Sequence, residues 1–233
     1  MSLYAWLLLA TIVIPLTLSF EQRLRFYTYW KLLLPSICIS ALFFIIWDSW
    51  FVKKGVWGFN TEYVWSIRIY HLPIEEWLFF IVIPYSSIFI YTCLKFYIPQ
   101  PPFSIKQTKL ITMIALITSL GGLLFYHRTY TFFNGFLAFT ILVVHYKWLA
   151  DKTWMSYFWL TYFIHLIPFF IINGVLTGAL TITPIVWYNE KHILGIRLYT
   201  IPIEDMVYAM VCLLLPISIL EWLNYYFKIP NKH

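Results

Sequence analysis

The sequence predicts an all-α polytopic membrane helix bundle. It has about seven transmembrane helices, arranged as two parallel three-helix repeats joined by a linking helix. Three observations predict this. The 233 residues are 61% hydrophobic and only 11% charged, with a mean hydropathy of +0.76; a soluble domain carries about 25% charged residues. Apolar runs of roughly 17–25 residues, long enough to cross a bilayer, recur along the chain. Two stretches, RIYHLPIEEWLFF at 68–80 and RLYTIPIEDMVYA at 197–209, match at an offset of 129 positions.

The spans are expected near 3–20, 30–47, 74–94, 110–126, 131–147, 154–172 and 203–223. The first has no positive flank before it and no small-residue cleavage site after it, so it reads as a retained span rather than a signal peptide. The fifth is short and contains Asn134 and His145. Long loops are expected at 48–73 and 173–202. PQPPF at 99–103 is a linker, because its prolines stop helix propagation. The division that follows is a first repeat at 1–98, a linker and linking span at 99–128, and a second repeat at 129–233.

Loop charges set the expected orientation. Arg23, Arg25, Lys31, Lys95, Lys106, Lys109, Lys147, Lys152, Lys228 and Lys232 fall on one side; Lys53, Lys54, Arg68, Arg128, Lys191 and Arg197 fall on the other. The basic side should be cytoplasmic. That places the N-terminus outside and the C-terminus inside a cell (inner or plasma) membrane. Asp48, Glu62, Glu75, Glu76, Glu190, Glu204 and Asp205 lie on the opposite side. The net charge of +6 is scattered singly, so it signals no nucleic-acid partner. Cys38, Cys93 and Cys212 sit in apolar runs without metal-ligand spacing and read as core residues.

The offset of 129 pairs Asn60 with Asn189, Arg68 with Arg197, Tyr70 with Tyr199, Pro73 with Pro202, Glu75 with Glu204 and Glu76 with Asp205. Four crossings separate the copies, so both face the same side. Repeats of this kind are related by a pseudo-two-fold along the membrane normal and often build their site between them.

Either acid pair alone could simply start a helix, since proline suits the first turn and acids there offset the helix dipole. Duplication, a nearby arginine in each copy and the cost of acids near a span, up to roughly 2.5–3.5 kcal/mol each at mid-depth, favour a site. Two adjacent acids in an apolar pocket do not both ionise readily. Desolvation and repulsion favour a proton on one, while the helix N-terminus and the arginine favour charge on the other. A protonated carboxyl can protonate an alkene, and a carboxylate can stabilise or deprotonate the resulting cation. Trp57, Tyr70, Phe79, Tyr199 and Tyr208 could add cation–π stabilisation, although each on its own is better explained as core or interfacial packing.

No nucleotide motif, Asp-rich pair or H-E-x-x-H spacing is present, and the seventh span has no lysine for a Schiff base. His127, His145 and His165 read as hydrogen-bonded bundle residues, with His165, mid-span, the one to watch.

The motifs LPIEEWLFFIVIP and GIRLYTIPIEDMVY, with NGVLTG at 173–178 and VWGFN at 56–60, resemble the integral-membrane lycopene cyclase family in its fused two-half form. The resemblance covers nearly the whole chain. It implies redox-neutral closure of the linear ψ-ends of lycopene to β-rings, giving γ-carotene and β-carotene. Carried onto this sequence, it implies Glu75 and Glu204 as leading acid/base residues with Glu76 and Asp205 as partners. Arg68 and Arg197 would orient the acids; Asn60, Asn189, Tyr70 and Tyr199 would complete the polar network; Asp48 and Asn173 are weaker candidates. No cofactor and no metal are expected. The expected partners are lycopene or a related carotenoid and membrane lipid; the high aromatic content is compatible with a homo-oligomer. An ε-ring or C50 carotenoid cyclase would carry the same acids. So would a non-enzymatic carotenoid-binding or transport protein.

Overall fold

The computed structural model describes residues 2–227, and these form a helix bundle capped at one end by short strands. Lys228 and Lys232, counted in the charge balance, lie outside the described residues. The helices are α1 (Leu3–Leu18), α2 (Trp30–Lys53), α3 (Ile74–Tyr97), α4 (Ile105–Gly122), α5 (Thr129–Val144), α6 (Thr153–Leu176) and α7 (Glu204–Phe227). Six helical segments are long and apolar enough to cross a membrane; α1, with 16 residues, is shorter. At 1.5 Å per residue it is about 24 Å long.

Four helices, α2, α3, α6 and α7, outrun their expected ends. α2 continues to Lys53 because Phe51 keeps burying apolar surface beyond residue 47, and α6 continues to Leu176 for the same reason at Val175 and Leu176. Asp48 and Asn173 therefore lie on helices rather than in the long loops. α4 begins at Ile105, five residues earlier than expected, because Ser104 and Gln107 form a reciprocal capping box.

α3 and α7 are central. α1 and α2 pack on α3, α5 and α6 pack on α7, and α2 and α6 each bridge α3 and α7. α4 covers α5 and α6 from outside. It approaches α5 through Gly122 and Gly135, where a Cβ on Gly135 would meet Ser119 O at 2.8 Å. Small residues at such crossings let membrane helices come close enough to gain packing energy. Pro15 in α1 cannot donate to the carbonyl of Thr11, and Ser86 Oγ on α3 donates to it instead, at 3.2 Å.

The strands sit at the end where α3 and α7 begin. β1 (Trp57–Phe59) pairs antiparallel with β4 (Val186–Tyr188). β2 (Arg68–Ile69) with β3 (Leu72–Pro73), and β5 (Arg197–Leu198) with β6 (Ile201–Pro202), form two small hairpins. Backbone bonds repeat at the offset of 129. Asn60 N donates to Ile185 O and Asn189 N to Val56 O, both at 2.9 Å; Ile74 N donates to Ile67 O and Ile203 N to Ile196 O, both at 3.1 Å.

Candidate active site

All four acids of the duplicated motif are buried in the first turns of α3 and α7. Within each pair, neighbouring positions on a helix diverge by about 100°, so the two carboxyls point different ways.

The outer acids hold the loops. Glu75 Oε1 accepts from Ser2 Oγ at 2.5 Å and from Trp65 N at 2.7 Å. Glu204 Oε1 accepts from Thr131 Oγ1 at 2.6 Å and from Leu194 N at 2.7 Å. These four donors match at the same offset of 129. Each acid leaves its Oε2 buried without a hydrogen-bond partner among the described residues.

The inner acids face a cavity of about 340 Å³, and Asp48 faces it with them. Asp205 Oδ1 accepts from Tyr130 OH at 2.7 Å, and its Oδ2 accepts from Asn173 Nδ2 and Tyr188 OH, both at 2.9 Å. Glu76 Oε2 accepts from Tyr4 OH at 2.6 Å, and Asp48 Oδ1 accepts from Tyr208 OH at 2.6 Å. Asp48 on α2 and Glu76 on α3 line the same stretch of cavity wall. Burial and the neighbouring Asp205 push the Tyr188 phenol well above the ordinary tyrosine range, so it remains a donor.

Aromatic rings surround the acids. Trp57 lies 5.0 Å from Tyr130 and 6.5 Å from Tyr208, and Tyr130 stacks on Tyr188 at 5.9 Å. Farther from the acids the walls are mostly apolar, from Phe79, Ile83 and Pro84 to Ile172 and Leu213. The polar side chains there are Thr11, Ser86, and Ser87 with His165, whose Oγ and Nδ1 are 2.9 Å apart. Among the described residues, no group of three or more His, Cys, Asp or Glu side chains has the geometry to hold a metal ion.

The structure thus brings together Glu76, Asp205, Asp48, Asn173, Trp57, Phe79 and Tyr208 from the sequence candidates, with His165 along the same cavity. Glu75 and Glu204, expected as the leading acids, lie behind this wall, and their expected partners Glu76 and Asp205 face the cavity. Tyr70 and Tyr199 do not join the polar network. They are 74% and 82% exposed at the hairpin tips, with φ of 49° and 60°. Turn closure needs a left-handed residue there, and that directs their rings away from the bundle. The arginines do not orient the acids. Arg197 pairs with Glu190 at 2.6 Å and donates to Thr200 O, while Arg68 is exposed on β2. Asn60 and Asn189 fold their own loops, accepting from Glu62 N and Lys191 N.

Sequence reasoning missed Tyr4, Tyr130, Tyr188, Ser2 and Thr131. Extending the offset of 129 to the N-terminus pairs Ser2 with Thr131, a legible signal. Tyr4 and Tyr130 break the offset by three residues, nearly one helical turn, and no repeat would align them.

A family profile described as lycopene cyclase matches residues 1–94 and 127–223, leaving α4 unmatched. Three bifunctional lycopene cyclase/phytoene synthases are similar. That of Aspergillus oryzae is 27% identical over 99 residues, 41% of this chain and 17% of its own length. That of Aspergillus niger is 21% identical over 128 residues, 52% of this chain and 22% of its own. That of Pyrenophora tritici-repentis is 31% identical over 62 residues, 27% of this chain and 10% of its own. The matched stretches therefore span less than a quarter of these relatives. No solved structure matches. With the profile covering most of both helix triplets, the chain belongs to the lycopene cyclase family.

Proposed function

We propose that this chain closes the acyclic ψ-ends of lycopene to β-rings by acid catalysis, giving γ-carotene and then β-carotene. The observation that carries this reading is the cavity itself. Three buried carboxyls, ringed by aromatic faces, line one end of a mostly apolar pocket. A hydrocarbon substrate suits such walls, and its terminal double bond would reach the acids.

The Asp48–Glu76 pair supplies the proton to C2 of the terminal double bond, leaving a cation at C1. The C5–C6 double bond attacks C1, forming the C1–C6 bond and moving the cation to C5. Asp205 removes the proton from C6, and that electron pair restores the C5–C6 double bond. One proton enters and one leaves, so no electrons are exchanged with a cofactor. Trp57, Tyr130, Tyr188 and Tyr208 stand where a passing cation needs π-faces. Exclusion of water from these walls prevents capture of the cation as an alcohol.

The test is expression in bacterial cells that accumulate lycopene, with chromatography of the pigments. Conversion to γ-carotene and β-carotene by the wild type, abolished in Glu76→Gln and Asp205→Asn, is the expected result. Unchanged lycopene with well-accumulated wild-type protein overturns the reading.

A further inference from the structure

The cavity that holds the acids is built unequally from the two halves of the duplicated scaffold. We infer that carotenoid enters sideways from the bilayer through a slot between α1 and α6, and that the symmetry-related slot between α5 and α2 is closed by aromatic side chains. This rests on the proposed carotenoid substrate.

The cavity is asymmetric about the pseudo-two-fold. Tyr4, Ala10, Thr11, Ile14 and Pro15 of α1 line it, as do seven residues of α6 between His165 and Leu176. α5 contributes only Tyr130 and α2 only Asp48. Both slot-forming helices reach the outside of the bundle. Ile14 is 64% exposed and Ile171 63% exposed, yet both also line the cavity. Ala10, seven residues into α1, is also exposed and lines the cavity with only a methyl group. From Tyr4 at the acids to Ile14 is about 15 Å along the helix, which places the slot within the hydrocarbon layer.

At the offset of 129 the other half is filled. Phe139 stands for Ala10, and Phe43, Phe44 and Trp47 stand for Ile172, Asn173 and Leu176. Phe44 is buried and packs edge-on to Tyr208 at 5.6 Å; Trp47 and Trp50 of α2 pack edge-on to Phe133 of α5 at 6.3 and 5.1 Å. The same difference puts Phe44 of the first repeat where Asn173 of the second binds an acid, so the filled side also lacks the donor.

A single chamber with one acid cluster handles one end of a linear substrate while the rest extends through the slot into lipid. The second ring requires release, reversal and re-entry, so the monocyclic product is free in the membrane between turnovers.

The test uses full-length protein with Ala10→Trp or Ile171→Trp in the slot and Leu42→Trp, the counterpart of Ile171, as control. Each is also placed on Glu76→Gln, which holds lycopene without consuming it. The expected result is at least tenfold less lycopene co-purifying with the slot variants on that background, an equal loss of ring formation on the active one, and no change for Leu42→Trp. γ-Carotene should accumulate first and be consumed on a chase. Unchanged lycopene binding in both slot variants, or equal loss with Leu42→Trp, overturns the slot. β-Carotene formed with no free monocyclic intermediate overturns the single chamber. Lycopene bound and blocked by the slot variants while the wild type forms no ring leaves the slot standing and removes the cyclase reading instead.

Discussion

Gly58 and Trp187, which occupy equivalent positions in the two repeats, face each other across the β1–β4 pair. A pair that is its own image lies on the pseudo-two-fold. The two repeats therefore meet above the acids as a ribbon, and the ribbon is a roof over the cavity that Trp57 and Tyr188 line from its two strands. One member of the self-paired position is the smallest residue and the other the largest. A Cβ on Gly58 would meet the Trp187 indole at 2.4 Å. Gly58→Ala should therefore shift the roof, lowering stability by about 1–3 kcal/mol. Thermal unfolding in detergent measures this, and adding Trp187→Ala should restore most of the loss.

The inner and outer acids should separate by phenotype. Glu76→Gln, Asp48→Asn and Asp205→Asn should each lower ring formation by about 10²–10⁴-fold while the protein accumulates normally, the range expected for loss of a general acid or base. Glu75→Gln and Glu204→Gln should instead weaken the loop anchors at Trp65 N and Leu194 N. Buried hydrogen bonds to charged groups are worth about 1.5–3 kcal/mol. Lower accumulation with preserved turnover per folded molecule is the expected reading. Equal turnover loss in all five would show that the outer acids also act on substrate.

Tyr130→Phe removes one of three donors to Asp205 while keeping the ring beside Trp57. A loss of roughly tenfold in turnover is expected, smaller than for Asp205→Asn, because Asn173 and Tyr188 still hold the carboxylate. Steady-state assays of reconstituted protein decide this.

Tyr70 and Tyr199 should be dispensable for turnover. Both are exposed in left-handed turns, so Tyr70→Gly removes strain of order 1 kcal/mol and should leave ring formation unchanged. A large loss of activity would place the hairpin tip in contact with substrate or a partner.

We propose that the acid-bearing end faces away from the cytoplasm, as the loop charges predict. A single cysteine introduced at Gln100, with Cys38, Cys93 and Cys212 replaced by Ser, should resist a membrane-impermeant maleimide in intact cells and react after lysis. Labelling in intact cells reverses the orientation.

The sequence by itself determined the helical membrane class, the duplication and the two acid pairs. Each is a local property: apolar length sets the span, and a repeated motif is visible wherever its residues stand. It also placed Asp48 and Asn173 among the candidates, though at lower rank than their position beside Glu76 and Asp205 warrants. What needed tertiary structure was direction. Whether Glu75 or Glu76 meets the cavity depends on the rotation of α3 within the bundle, which its nearly all-apolar faces do not encode. The tyrosine donors come from α1, α5, β4 and α7, elements far apart in the chain, so no local spacing announces them. The choice of one open slot over its counterpart rests on Ala10 against Phe139 and Asn173 against Phe44. Those differences read as ordinary apolar variation until the fold sets them on opposite sides of one axis.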